Sequence, residues 1–311
     1  MSHPNRAFVG DIGGSNLRTA IAEISTKTND VEFIGEPIIE PTPSRPDPFF
    51  QSMARSLVLL LEANPELRDG VIGFPGKVVH DGDRMLVGPL TNISGLTDVF
   101  DLNERLGEED SRLKKIRLTA LNDAEAATHA APFVPGADPK NTQPLMYFTH
   151  STGIGADIIR GHKIASRLTG QLGEYGHIPM DVDRSKGTLE SLIAGPAIER
   201  RFGNGSTPQE LGQLYTHESN DAWEHVGRVF GQAIASFVPS IGMDHVVIGG
   251  GVSRDHDRYE ESLEEALHTA LVDNAVILNG MTEVPKVSYV PKHLVSSFGL
   301  IGARYGLEQY R

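Results

Sequence analysis

The chain opens with three short runs in which apolar residues dominate and polar ones punctuate: AFVGDIGG, LRTAIAEI and VEFIGEPIIE, separated by Gly, Ser, Thr and Asn. Such runs read as strands, and the turn-forming residues between them predict hairpin connections. The period then changes. Through PDPFFQSMARSLVLLLEAN, Phe49, Met53, Ser56, Leu57, Leu60 and Leu61 recur at steps of three and four, the spacing of one buried helical stripe. DGVIGFPGKVV predicts a strand stopped by a Pro-Gly turn, residues 101–115 a polar helix, and KIRLTAL another strand. NDAEAATHAA follows as a helix whose acidic first turn complements the helix dipole.

The second half repeats the plan. PLMYFTHSTGIG and ADIIRGHKI predict a strand, a glycine turn and a returning strand, echoing FVGDIGGSN and LRTAIAEI, as a duplicated α/β unit would. Val226, Val229, Phe230, Ala233, Ile234, Phe237 and Ile241 keep one helical face through HVGRVFGQAIASFVPSI. DHVVIGGG predicts a further strand and glycine turn. Tyr259, Leu263, Ala266, Leu267, Ala270 and Leu271 mark the next helix, and FGLIGARYGLEQY a last one.

With 311 residues and 39% hydrophobic content, the chain can fill two cores of roughly 150 residues each. Its 28 basic and 41 acidic side chains give a formal charge of -13, which argues against a nucleic-acid surface. The absence of cysteine removes disulfides and cysteine-ligated zinc, and fits a reducing cytosol. MSHPNRAFVG lacks the apolar region of a signal peptide, and no run reaches the ~18 apolar residues of a membrane helix. The expectation is a soluble cytoplasmic protein with no membrane and no nucleic-acid partner.

The candidate chemistry begins at FVGDIGGSN. A glycine turn after a strand brings backbone N–H groups toward a phosphate, yet Asp11 places an anion at the same mouth. A divalent cation between the two charges resolves that repulsion, so the stretch points to phosphate with magnesium. DIGGSN, STGIGAD and IGGGVS each follow a strand; any one alone is as well explained as a tight turn. The first does not fit the G-x-x-x-x-G-K-[ST] loop, and no convincing G-x-G-x-x-G precedes a helix.

In their order these motifs resemble the sugar kinases of the superfamily that also holds actins and heat-shock chaperones, and within it the ROK family of repressors, open reading frames and kinases. The resemblance rests on DIGGSN at 11–16, GFPGKV at 73–78, NDAEAA at 122–127, STGIGADI at 151–158, GEYGH at 173–177, LES at 189–191 and VIGGGVS at 247–253. It implies an α/β, two-lobed actin-like ATPase fold with ribonuclease-H-like cores and a cleft between the lobes. Residues 1–119 plus 292–311 would form the small lobe and 120–291 the large one. It further implies an ATP-dependent hexose kinase using Mg²⁺, with lobe closure bringing a sugar hydroxyl in line with the γ-phosphate. Glucose is the first choice of substrate. N-acetylmannosamine, N-acetylglucosamine, mannose, fructose and allose are alternatives, polyphosphate is an alternative donor, and a homodimer is the expected assembly. A catalytically silent sugar sensor stays open beside the kinase. The family's repressors carry a helix-turn-helix module, for which a phosphate motif beginning at Asp11 is expected to leave no room.

Residue by residue, Asp123 reads from spacing as either a helix cap or a carboxylate able to take a proton, and the resemblance makes it the general base, with Asn122 on the sugar. The same resemblance puts Asp11 near Mg²⁺, through water, and the backbone of Gly13, Gly14, Ser15 and Asn16 around phosphate oxygens. Thr152, Gly153 and Gly155 match the second phosphate loop; Gly249, Gly250 and Gly251 match the turn beside adenosine. Glu174, His177, Glu190, Gly76 and Asn92 would line the sugar pocket; by composition alone, Glu174 and His177 read as a solvated surface pair. Two departures stand out. Ala156 and Asp157 replace glycines common in the second loop, adding a carboxylate near the phosphates. IPMDVDRSKGTLE stands where many relatives carry a C-x-C-G-x-x-G-C zinc run, so no zinc site is expected, and an aspartate of DVD or a backbone carbonyl would orient His177.

Overall fold

The computed structural model describes residues 5–81, 84–90, 93–138, 140, 142–161, 163–165, 173–182, 185–273 and 283–309. The chain divides into two compact units, Met1–Ala130 with Ser297–Arg311, and Ala131–Ser296.

The first unit is built on a mixed sheet. Strands β1 (Arg6–Ile12) and β2 (Asn16–Ile24) pair antiparallel, and β3 (Val31–Phe33) and β4 (Ile38–Pro41) both pair with β2. On the other side of β1 lie β5 (Asp69–Phe74) and then β9 (Arg117–Asn122), both parallel to their neighbour. A small antiparallel sheet of β6 (Val78–Asp81), β7 (Arg84–Val87) and β8 (Phe100–Asp101) lies between them in sequence. Helices α1 (Pro46–Ala63), α2 (Leu102–Glu109) and α3 (Asp123–Thr128) follow in order, and α7 (Phe298–Leu307) returns from the C-terminus to pack on α3 and β1. The near-continuous apolar run of β1 has a simple cause: both faces of the sheet are covered. Phe8 and Ile12 join Phe49, Met53 and Leu57 of α1 in one core, while Ala7 and Val9 join Leu300, Ala303 and Leu307 of α7 in another.

Two expected elements divide. VEFIGEPIIE is two strands, broken at Gly35, whose φ of 82° no strand position accommodates. Residues 101–115 are α2 and a separate 3-10 turn, because Asp110 adopts extended φ/ψ and its carboxylate caps Arg112 N–H.

The second unit has the same strand order. β10 (Leu145–His150) pairs antiparallel with β11 (Ile154–Arg160), which pairs with β12 (Lys163–Ile164). β15 (His245–Gly249) and β16 (Lys286–Tyr289) run parallel on the other side of β10. A hairpin, β13 (Pro179–Val182) and β14 (Ser185–Thr188), leads into α4 (Leu189–Ile193). Helices α5 (His217–Ile241) and α6 (Glu260–His268) cover the sheet. Val226, Val229, Phe230, Ala233 and Ile234 of α5 are fully buried against Met146, Phe148, Val246 and Ile248, with Phe230 edge-on to Phe148 at 5.1 Å. Truncating Phe230 to Ala would cost about 3–5 kcal/mol. No described helix is long and apolar enough to cross a membrane.

Candidate active site

Parallel registration aligns the carboxyl ends of three neighbouring strands in the first unit: Asp11 lies opposite Gly73, and Phe74 opposite Asn122. This is the sheet edge at which open α/β proteins bind ligands, and it presents two carboxylates, Asp11 and Asp123. The cap of α3 is Asn122. Its Oδ1 accepts from Ala124 N–H at 3.0 Å and Glu125 N–H at 3.3 Å, and its Nδ2 donates to the carbonyl of Gly76 at 3.1 Å. Asn122 therefore both starts the helix and braces the Gly76 loop, while Asp123 at the first helical position leaves the capping to it and accepts from Ala124 N–H, at 2.8 Å, from its own N–H and from the Asn122 side chain.

The electrostatics of the pair are unusual for carboxylates. Burial raises the Asp11 pKa above its ordinary value, opposed by the Arg18 guanidinium, whose Nη1 lies 3.3 Å from Oδ2. Burial, reinforced by the charge of Asp11, pushes Asp123 up to about 7 against the pull of the Ala124 N–H. The first turn of α7 abuts the same carboxylate: a Cβ on Gly299 would stand 2.6 Å from Asp11 Cγ. A helix N-terminus there favours the ionised form.

The DIGGSN turn is pinned from behind. Thr42 donates its hydroxyl to Gly13 O at 2.8 Å and its N–H to Ser15 O at 3.0 Å, and Gly13 N–H donates to Asn16 O at 2.8 Å. Nothing lies within 4 Å of an added Cβ on Gly14, so packing does not require glycine there; close approach of a ligand to the backbone would. Asn92 lies outside the described residues.

In the second unit, Glu190 meets the β10–β11 turn directly. Its Oε2 accepts from Ile154 N–H at 2.8 Å and occupies the position a side chain on Gly153 would need, 2.7 Å from that Cβ. This places a residue expected on the sugar against the turn of Thr152, Gly153 and Gly155. A Cβ on Gly176 would collide with the Ile154 carbonyl, and Leu189 N–H donates to Ile178 O at 3.1 Å. The segments bearing Glu174, His177 and Glu190 are thus packed together. Glu174 and His177 approach to 3.9 Å with side chains 76% and 58% exposed. Asp157 is 1% exposed within β11, its carboxylate accepting Ile158 N–H at 2.7 Å; burial raises the pKa of Tyr175, and the charge of Asp157 adds to it.

The three glycines after β15 are not equivalent. A Cβ on Gly249 would stand 2.5 Å from the Tyr147 hydroxyl; Gly250 has φ 92° and sits on the His150 backbone; Gly251 faces open space. Between His177 and Glu190, Pro179–Val182 and Ser185–Thr188 pair as β13 and β14, with an Asp181–Lys186 ion pair at 3.0 Å; Asp183 lies outside the described residues. Among the described residues no group of three or more His, Cys, Asp or Glu could hold a metal. Asp11 alone does fit Mg²⁺, which keeps most of its waters and takes one or two carboxylates together with phosphate oxygens.

Arg18, Gly299 and His150 were not among the expected site residues. A signal existed for the first: a basic residue in a mostly apolar strand, across a short turn from Asp11. Gly299, Gly302 and Gly306 recur at helical spacing, which marks a face of close contact but not its partner.

The ROK family model matches residues 9–308. The chain belongs to the ROK family. Among ROK relatives it is 27% identical to the N-acetylmannosamine kinase of Vibrio vulnificus, over 49% of this chain and 55% of the relative. It is 26% identical to the glucokinase of Halalkalibacterium halodurans, over 51% and 54%. These alignments span about half of each relative's length; that with the N-acetylmannosamine kinase of Pasteurella multocida, 26% identical, spans 79% of this chain and 82% of the relative. The solved ROK hexokinase from Thermus thermophilus superposes with a TM-score of 0.72 at 24% identity, covering 98% of this chain and 99% of that one. A ROK glucokinase from Streptomyces griseus, in complex with glucose and AMPPNP, gives 0.73 at 19%, covering 96% and 98%. A ROK transcriptional regulator homologous to the E. coli MLC protein gives 0.72 at 16%, covering 99% and 78%. These likenesses establish the actin-like ATPase fold, with the repeated strand order of the two units as its basis.

Proposed function

We propose that this ROK protein is an ATP-dependent hexose kinase that transfers the γ-phosphoryl group to a sugar hydroxyl, with the 6-hydroxyl of glucose as first substrate. The observation that carries the reading is Asp123: its helix is capped by Asn122, it lies half-buried beside Asp11, and burial with the Asp11 charge pushes its pKa up to about 7. A base with that pKa accepts a proton from an alcohol at neutral pH without being ionised so easily as to be inert. Phosphoryl transfer otherwise asks the protein for positioning and charge neutralisation.

In this reading the backbone of Gly13, Gly14, Ser15 and Asn16 cradles phosphate oxygens, as does that of Thr152, Gly153 and Gly155, and Gly251 borders the nucleoside. Asp11 holds Mg²⁺ through water. When bound, that ion neutralises phosphate charge beside a carboxylate that would otherwise repel it. Glu174, His177 and Glu190 receive sugar hydroxyls, with Gly76 contributing backbone. Relatives named as glucokinase and as N-acetylmannosamine kinase make N-acetylmannosamine the first competitor to glucose.

The test is ADP release from Mg-ATP in the presence of glucose, N-acetylmannosamine, N-acetylglucosamine, mannose, fructose and allose in turn, compared as kcat/KM. Glucose is expected to lead. Preference for another hexose would move the substrate within the same chemistry, whereas no sugar-dependent release with any of them would leave a sugar sensor as the better reading.

A further inference from the structure

His150, the last residue of β10, is completely buried and touches α4 and the two turns on which the nucleotide reading of this unit depends. Its Nε2 lies 2.7 Å from the carbonyl oxygen of Ile193, the last residue of α4. Since a carbonyl can only accept, the ring carries its proton on Nε2. The main chain beyond it is held by the same region: Gly195 N–H donates to Ser151 O at 2.8 Å, and Ser151 N–H to Gly153 O at 2.9 Å. On its other side the turn after β15 rests on the His150 backbone. A Cβ on Gly250 would stand 2.5 Å from His150 O and 2.6 Å from His150 N. The ring is packed edge-on against Phe230 at 5.4 Å and Tyr259 at 6.1 Å.

A buried imidazole is an expensive way to fill apolar space, and burial lowers the pKa of His150 to about 4, so the ring stays neutral at working pH. An aliphatic residue would fill the volume more cheaply. The one thing it could not supply is the N–H that fixes α4 to the strand.

We propose that His150 is a positioning residue for nucleotide binding, which sets the Ser151–Gly153 turn and the Gly250–Gly251 turn in a fixed relation by tying the end of β10 to the carbonyl of Ile193. The proposal rests on the reading of those turns as nucleotide-binding. His150 touches no reacting atom; it acts through the backbone it holds. Backbone donors aimed at an anion lose their effect when displaced by a fraction of an ångström, so a lost anchor is read in nucleotide affinity before anything else.

The experiment compares wild type with His150→Leu, which fills the ring volume without a donor, and His150→Gln, whose amide restores an N–H at similar reach. AMPPNP binding is measured by calorimetry, and the KM for ATP and for the hexose by kinetics, with Tm recorded throughout. The expected result is an ATP KM raised about tenfold in the Leu variant, a hexose KM changed far less, and recovery of most of the loss by Gln. In ¹⁵N-labelled wild type, the His150 imidazole should show a neutral, Nε2-protonated ring that does not titrate between about pH 5.5 and 8. If wild type fails to bind AMPPNP, the nucleotide reading falls and this inference with it. If wild type binds and the Leu variant binds equally well, only the role of His150 falls. Parallel losses of Tm and of both KM values in the two variants would likewise reduce it to core packing.

Discussion

Arg18 and Asp11 occupy directly opposed positions of the β1–β2 pair, with guanidinium and carboxylate 3.3 Å apart, and the buried Arg18 Nε has no hydrogen-bond partner among the described residues. The arginine offsets part of the burial that raises the Asp11 pKa. Removing it must raise that pKa further, so that ionised Asp11, the form able to hold a cation, is populated only at higher pH. Arg18→Met is expected to lose about tenfold in kcat/KM on the acid side of the profile and markedly less on the alkaline side. A pH–rate profile on both proteins checks this; a pH-independent deficit would assign Arg18 some other task.

Asp123 offers two readouts with opposite pH dependence. As a base it must be ionised, so kcat/KM should rise through pH ~7 in the acid limb, and Asp123→Asn should lower kcat by about 100-fold or more while hexose still binds. In stability the sign reverses. Its folded pKa of about 7 exceeds the ordinary aspartate value of 3.8, so the native state keeps a proton that the unfolded chain has released. Stability from this group is therefore full below pH ~4 and is lost as pH climbs through ~7. Asp123→Asn should then be more stable than wild type at pH 8, by on the order of 1–3 kcal/mol, and equal to it near pH 4. Denaturant unfolding at the two pH values decides; a variant less stable at pH 8 would mean that the carboxylate contributes bonds an amide cannot.

How much of this was legible in the chain depends on whether local pattern or tertiary partners decide each feature. The strand-glycine-strand openings at Asp11 and at His150 announce themselves, because a buried strand and a tight turn each have their own residue chemistry, and the two sheets do share one strand order. The identity of the α3 cap was not legible: Asn122 and Asp123 are both good caps, and only the bond from Asn122 Nδ2 to Gly76, across 46 residues, commits the asparagine to that place. β16 is short and its residues Lys286, Val287, Ser288 and Tyr289 alternate weakly; it is a strand because β15 offers it an edge. Gly299 and Glu190 show the same limit, since each is explained by a contact with a residue remote in sequence.

The β13–β14 hairpin spans the segment where many family members are expected to hold zinc, and the chain has no cysteine to do so. Its closure comes from a strand ladder and the exposed Asp181–Lys186 pair, a contact worth little by itself. A structural zinc would make folding chelator-sensitive. Prolonged EDTA treatment followed by exchange into buffer is therefore expected to leave Tm unchanged, and elemental analysis to find no zinc; one tightly held zinc per chain would overturn this.

The three glycines after β15 separate fold from function within one turn. Gly250 has φ 92° and its Cβ position is taken by the His150 backbone, so Gly250→Ala must either move β10 or rebuild the turn. A cost of about 2–3 kcal/mol follows, or a fall in Tm of roughly 5 °C or more for a chain of this size. Gly251 has neither constraint: apart from its chain neighbours, no atom of a described residue lies within 4 Å of its added Cβ. Gly251→Ala should keep Tm within about 1 °C and raise the ATP KM severalfold, because the methyl group intrudes only on what approaches from outside. Thermal melts and ATP kinetics on the two variants test the distinction. Equal losses of Tm would show that Gly251 is held as tightly as its neighbour, and an unchanged ATP KM would move the nucleoside away from this turn.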